Sequence, residues 1–294
     1  MTIYPLVLRL GGFEITGFGL MMMVAFLAGG WIVGLELRRR RLREEYATDM
    51  VAAAVIGGVV GAKLWYVALT QDLGSLLSRG GLVWYGGFIG GAAAVLINGW
   101  RLKVPVRWTM QLGAPALAAA YALGRVGCFL VGDDYGRPTD LPWGVRFPQG
   151  IPPSSAGFLQ SHFGVAVPAG VDPGAILPVH PTQLYETAIM LGVFAALWKL
   201  RTRPAATGWL FGAYLVFAGA ERFLVEILRA KDDRFLGPFT LAQLTSVGLM
   251  LLGGVLMARW KGGAELPTGD YLSGTPKGSL TRPSSAPPPT ARRR

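Results

Sequence analysis

Seven stretches of mostly apolar residues, each roughly as long as a bilayer is thick, restrict this chain more than any other feature. A hydrocarbon core of about 30 Å takes roughly 20 residues of α-helix. Runs of that kind cover residues 15–37, 50–69, 82–100, 108–123, 181–200, 208–228 and 239–258. Backbone polar groups in lipid have to be satisfied within their own segment, which leaves the helix as the spanning form. The expected fold is an all-α integral membrane protein with seven transmembrane helices. With 52% hydrophobic and only 15% charged residues among 294, the composition excludes an ordinary soluble enzyme of this size. The fourth run is short and holds Pro115, so it is tilted, kinked, or prolonged through residues 126–131.

The distribution of basic residues gives an orientation. Arg38, Arg39, Arg40, Arg41 and Arg43, then Arg101, Lys103 and Arg107, then Lys199, Arg201 and Arg203, then Arg259 and Lys261 sit in alternate connections. The opposite short segments hold Arg9, Arg79, Arg229, Lys231 and Arg234. The positive-inside rule then puts the amino terminus outside and the carboxyl terminus in the cytoplasm, as an odd number of spans requires. Topology thus accounts for the net charge of +11 without a nucleic-acid partner. Only Arg9 precedes the first run, so that run reads as a retained anchor and not a cleaved signal. The single Cys128 excludes an intramolecular disulfide and a cysteine-built metal site.

Residues 1–261 read as the membrane domain. Within them, residues 125–179 form a Pro-, Gly- and Trp-rich connection on the outer face, too long for an ordinary helix link and therefore functional. Residues 262–294, nearly free of large apolar side chains, read as a disordered basic cytoplasmic tail. GGVVGA and YGGFIGG space Gly57 from Gly61 and Gly86 from Gly90 by four residues, a close-packing pattern that also makes room for lipid.

Charged residues in or at the ends of the spans are Lys63, Arg125, Glu186, Glu221, Arg222 and Glu226. An arginine at mid-span costs about 2.5 to 3.5 kcal/mol on insertion scales, so each needs a partner or a polar cavity. Glu226 and Arg229 follow Arg222 by four and seven positions, on one helix face, and a local ion pair accounts for Arg222 as well as a site does. Arg125 has no acid nearer than Asp133. HPTQLYE, residues 180–186, holds more polar groups than a helix start needs, although a structural hydrogen bond is an alternative for His180. Asp133 and Asp134 suit a glycine-flanked turn better than a metal site, and no metal is expected. Trp143 and Phe147 suit either the membrane interface and peptide contact, or loop packing.

Four ordered blocks, YGGFIGG, GRVGCFLVGDDYG, HPTQLYE and ERFLVEILR, resemble the bacterial phosphatidylglycerol:prolipoprotein diacylglyceryl transferases. The resemblance runs from about Gly17 to Arg259. It implies a multi-pass enzyme of the bacterial inner membrane that moves the diacylglyceryl group of phosphatidylglycerol onto the lipobox cysteine of a prolipoprotein. The product would be a thioether, with glycerol 1-phosphate released and no cofactor. The family's two essential arginines fall on Arg125 and Arg222, and its recurrent glycine falls on Gly136. The implied catalytic set is Arg125, Arg222, His180 and Tyr85. The implied phosphatidylglycerol contacts are Arg125, Arg222, Gly86, Gly87, Gly136, Asp133, Gln183, Tyr185 and Glu186. Arginine forks suit a phosphate leaving group, and, with Tyr85 a poor base, His180 is the expected proton acceptor. This chain departs from the family pattern at Tyr85, where some members carry a histidine, at Cys128 and Val131 for asparagine, at Asp133 for glutamate, and at Phe18 for tyrosine. A small-solute transporter and a catalytically inactive lipid or lipoprotein binder stand as the competing classes; the absence of clear duplicated halves weighs against the transporter.

Overall fold

The structure, a computed structural model, describes residues 1–77, 81–167, 169–203, 206–230, 234–266 and 270–273. All seven apolar runs are helical within these residues. They correspond to α1 (Gly17–Arg39), α2 (Glu45–Thr70), α3 (Trp84–Arg101), α4 (Val106–Val131), α6 (Thr182–Leu200), α7 (Trp209–Glu226) and α8 (Leu241–Arg259), and a short α5 (Ala156–Phe163) lies in the long connection. Four of them, α1, α2, α4 and α8, are long and apolar enough to cross a membrane. Two small antiparallel hairpins flank the helices, β1 (Val7–Leu10) with β2 (Phe13–Thr16) and β3 (Arg234–Leu236) with β4 (Phe239–Thr240).

The most buried helix is α4, which packs against α1, α6 and α7. Of the possibilities left open for the fourth run, the helix takes prolongation: it continues to Val131 and caps on Gly132 in the left-handed region at φ +71°. Residues 125–131 therefore belong to the helix, and the long connection starts at Gly132 instead of Arg125. The extra turns carry Arg125 on a rigid element, with its backbone groups satisfied inside the helix.

The glycine seam is between α2 and α3. A Cβ built on Gly61 would stand 2.3 Å from the Gly86 carbonyl oxygen, and one on Gly86 equally close to that of Gly61. Gly57 and Gly90 repeat the relation one turn along. Removing the side chains lets two backbones meet where lipid supplies no hydrophobic drive between helices.

The connection after α4 folds as a small cap over its own core of Tyr135, Val145, Phe147, Leu159 and Val179, with the Tyr135 and Phe147 rings stacked at 5.4 Å. Phe147 is 1% exposed, so of its two readings loop packing holds. Trp143 remains 55% exposed.

The basic turns gather at the opposite pole. The Arg107 guanidinium donates from Nε to the Thr207 carbonyl at 2.8 Å and from Nη2 to that of Gly262 at 3.1 Å, and Arg201 pairs with Glu36 of α1. Part of the segment expected as a disordered tail lies here. Residues 262–266 and 270–273 are laid across this pole: Trp108 Nε1 donates to Ala264 O at 2.8 Å, Tyr271 N to Leu102 O at 3.1 Å and Arg43 N to Leu272 O at 3.0 Å. Leu272 is fully buried among Ile32, Leu37, Tyr46 and Leu112. Residues 274–294 lie outside the described residues.

Candidate active site

The site is built where the carboxyl-terminal ends of α4 and α7 meet the amino-terminal end of α6. Each helix brings charge, and the partners come from the other helices, from the turn after α4 and, for Arg222, from Glu226 of the same helix. Glu186, one turn into α6 and 1% exposed, receives all three arginines of the region. Arg125 Nε of α4 pairs with its Oε2, while Arg222 Nη1 and Arg229 Nη1 stand 3.9 and 3.8 Å from its Oε1. The Tyr121 hydroxyl donates to Glu186 Oε2 at 3.0 Å. A carboxylate so placed is retained in apolar surroundings only because several cations share its charge.

The turn after α4 completes the ring. Asp134, at φ +56° in the left-handed region that Asp tolerates better than most residues, accepts from Arg125 Nη1 at 2.9 Å and from Arg229 Nη2. Its side chain is 45% exposed, so the ring opens to the outside there. The turn is held by the start of α6: Thr182 Oγ1 donates to the Asp134 carbonyl at 2.9 Å, and Gln183 Nε2 donates to that of Asp133. Gly136 N donates to the His180 carbonyl at 2.8 Å, and a Cβ on Gly136 would lie 2.6 Å from the Leu228 oxygen and 2.7 Å from His180 Cβ. Only glycine lets the strand pass between α6 and the end of α7.

Donors without partners decide what the ring can do. Among the described residues, Arg125 Nη2 and Arg222 Nη1 are buried and make no hydrogen bond, and neither do Gln183 Oε1 and Asp133 Oδ1. Arg222 is otherwise held by Glu226 at 2.7 Å, the local i,i+4 pair expected from spacing. Both carboxylate oxygens of Glu221, 2% exposed, also lack a hydrogen bond there.

Electrostatics divide the two adjacent aspartates. Burial pushes the Asp133 carboxyl up to about 6, helped by the neighbouring Asp134 charge. Burial would raise Asp134 too, but Arg229 and Arg125 hold it below the usual carboxylate range. Burial lowers His180 from its ordinary value, so the imidazole is neutral at pH 7, with Nδ1 3.2 Å from the Tyr185 hydroxyl. That hydroxyl accepts from Trp143 Nε1 at 2.8 Å, which ties the cap to α6. Cys128 Sγ, Asp133 and Asp134 approach closely enough to share a cation. Two of these groups, Cys128 Sγ at 3.3 Å and Asp134 at 2.9 Å, already accept from Arg125 Nη1.

The structure thus brings together Arg125, Arg222, Asp133, Gly136, His180, Gln183, Tyr185 and Glu186. It leaves Tyr85, Gly86 and Gly87 outside this network. Tyr85 is 60% exposed and edge-on to Trp84, and Gly86 and Gly87 face α2 along the glycine seam. Lys63 also stands apart, donating to the Ser75 carbonyl at 3.2 Å near the end of α2. Arg229, Asp134 and Tyr121 were not singled out as site residues from sequence. Arg229 carried one usable signal, its spacing of seven from Arg222.

Residues 5–259 match the family described as prolipoprotein diacylglyceryl transferase. A protein of Geobacter sulfurreducens named phosphatidylglycerol-prolipoprotein diacylglyceryl transferase is 33% identical over 278 residues, covering 88% of this chain and 97% of its own. Proteins of the same name from Paraburkholderia phymatum and Clostridium tetani are 32% and 29% identical, over 87% and 85% of this chain and 92% and 94% of theirs.

Proposed function

The chain belongs to the prolipoprotein diacylglyceryl transferase family, and from that premise we propose that the arginine ring around Glu186 is where the transfer takes place. The protein is a transferase of lipoprotein biosynthesis, moving the diacylglyceryl group of phosphatidylglycerol to a prolipoprotein. In the reaction the lipobox cysteine sulfur forms a bond to a glycerol carbon as that carbon's bond to the phosphate oxygen breaks. The electron pair leaves with the phosphate as glycerol 1-phosphate, and the thiol proton passes to a base.

One observation carries this reading: Arg125 and Arg222 both pair with Glu186, and each keeps a buried guanidinium nitrogen, Arg125 Nη2 and Arg222 Nη1, that makes no hydrogen bond. Negative charge grows on the departing phosphate, and fixed donors aimed at it act most strongly where water is scarce. Arginine keeps its proton in such surroundings. An ordinary cysteine is only a few per cent thiolate at pH 7, and neutral His180, on the rim formed with Gly136, is the group placed to take the proton. Gln183 and Thr182 hold the turn that carries Asp133 and Asp134. This clamp does not use Tyr85, Gly86 or Gly87.

The same reading makes all seven helices spans in the bacterial cytoplasmic membrane, with the arginine ring toward the outside. The gathering of the basic turns at the other pole supports that orientation. Purified protein, phosphatidylglycerol and a lipobox peptide are expected to give a mass increase of one diacylglyceryl group, lost on Arg125→Ala. Transfer at the wild-type rate by that variant would overturn the clamp. Binding of phosphatidylglycerol by the wild type with no glycerol phosphate released would mark a non-catalytic binder.

A further inference from the structure

At the pole opposite the arginine ring, Glu36 of α1 is as deeply buried as Glu186, with a side chain 4% exposed. Its two oxygens receive three guanidiniums: Arg39 at 2.6 and 2.8 Å, Arg40 at 2.6 Å and Arg201 at 3.2 Å. Alternate-loop positive charge alone requires no such convergence on a buried acid. Above it opens a pocket of about 270 Å³ whose lining includes Arg39, Arg40, Arg201, Arg203 and Gln111 and no Asp or Glu. Along α6, Glu186 of the ring and Arg201 of the pocket are 15 residues apart, about 22 Å at 1.5 Å per residue.

Several details fit an anion here. Four guanidiniums line the pocket against one carboxylate beneath it. Arg40 donates to Glu36 through Nε alone and lies over the Trp108 ring at 5.2 Å, which leaves its terminal nitrogens available. Arg201 is stacked on Trp198 at 3.5 Å, donates from Nη1 to the Trp198 carbonyl and pairs through Nε with Glu36, so its charge is fixed in place before any ligand arrives. Arg203 makes no ion pair among the described residues. Gln111 Oε1 already accepts from Gly208 N and Leu210 N, so what its amide offers the pocket is a donor.

We propose that this pocket is a second anion site, built to hold a phosphate group between the terminal nitrogens of Arg40 and the guanidinium of Arg203, with Arg39 and Arg201 adding fixed positive charge. Planar guanidiniums match phosphate oxygens two at a time. Basic pockets between helices at a membrane face are where anionic headgroups dock. The group arrives either on an anionic phospholipid or as free phosphate; the lipid source rests on the membrane reading above, while the anion site itself does not.

The test uses the full chain in detergent, titrated with phosphatidylglycerol or with inorganic phosphate and read by native mass spectrometry, beside the transfer assay. Arg203→Gln is the informative variant because it strands no carboxylate. It is expected to weaken retention of one anion at least tenfold, with transfer activity and thermal transition unchanged. Competition of inorganic phosphate for that anion would assign the site to phosphate in general, and retention of lipid against excess phosphate would assign it to a lipid headgroup. Arg40→Gln with Arg203→Gln should abolish retention, and Arg40→Lys with Arg203→Lys should restore part of it. Wild-type retention of both ligands by Arg203→Gln and by the double glutamine variant would overturn the proposal. Absence of transfer by the wild type, with the anion held by it and released by Arg203→Gln, would count against the active-site reading alone.

Discussion

At the scale of single residues, the site depends on keeping opposite charges unequally matched. His180 illustrates the use of a neutral group beside them. Burial lowers its pKa, so the free base is present at pH 7 and is lost as pH falls through that lowered value. The acid limb of kcat/KM is therefore expected below pH 6.5, and His180→Gln should lower the rate by about 100-fold and remove that limb. Full activity in that variant would end the role of His180 as proton acceptor. Arg125 was legible in the sequence because a charge inside an apolar run has no local explanation. Its partnership with Asp134 and Glu186 was not, nor was the Arg229 pairing with Asp134, since those two residues are 95 apart in the chain. Only the approach of the turn after α4 to the end of α7 joins them, and no local spacing encodes that.

At the scale of elements, the apolar runs were readable because bilayer thickness and the rise of a helix set their length together. Their ends were less so. Residues 126–131 had offered either a prolonged helix or the start of a loop, and the Gly132 cap lies beyond the apolar run. The YGGFIGG glycines had two readings, and the structure shows the packing one: α2 and α3 meet backbone to backbone at Gly61 and Gly86. Gly61→Ala forces a methyl group against a carbonyl that cannot turn away, and it is expected to cost about 1–3 kcal/mol of stability, as overpacking does. Thermal unfolding in detergent checks this, and an unchanged transition would show that the seam can open. The remaining activity, measured per folded molecule, should be normal, because the seam lies outside the arginine ring.

At the scale of the whole molecule, the charged groups collect at two poles, and the carboxyl-terminal segment belongs to one of them. A leucine in a segment otherwise rich in Gly, Pro, Ser and Thr reads as part of a solvated tail, so the burial of Leu272 was invisible before the helices were in place. Leu272→Ala should cost about 2–5 kcal/mol, seen as a lower unfolding temperature with little change in kcat/KM at permissive temperature. The far pole bears on turnover. In the proposed reaction phosphatidylglycerol would bring one negative charge to the arginine ring, and glycerol phosphate would leave with close to two near neutral pH. Bare arginines would hold the product more tightly than the substrate. Because Glu186, Glu226 and Asp134 already share the charge of Arg125, Arg222 and Arg229, these carboxylates stand ready to reclaim the guanidiniums as the product departs. The ring is thereby suited to release after each cycle as well as to stabilise the bond-breaking step.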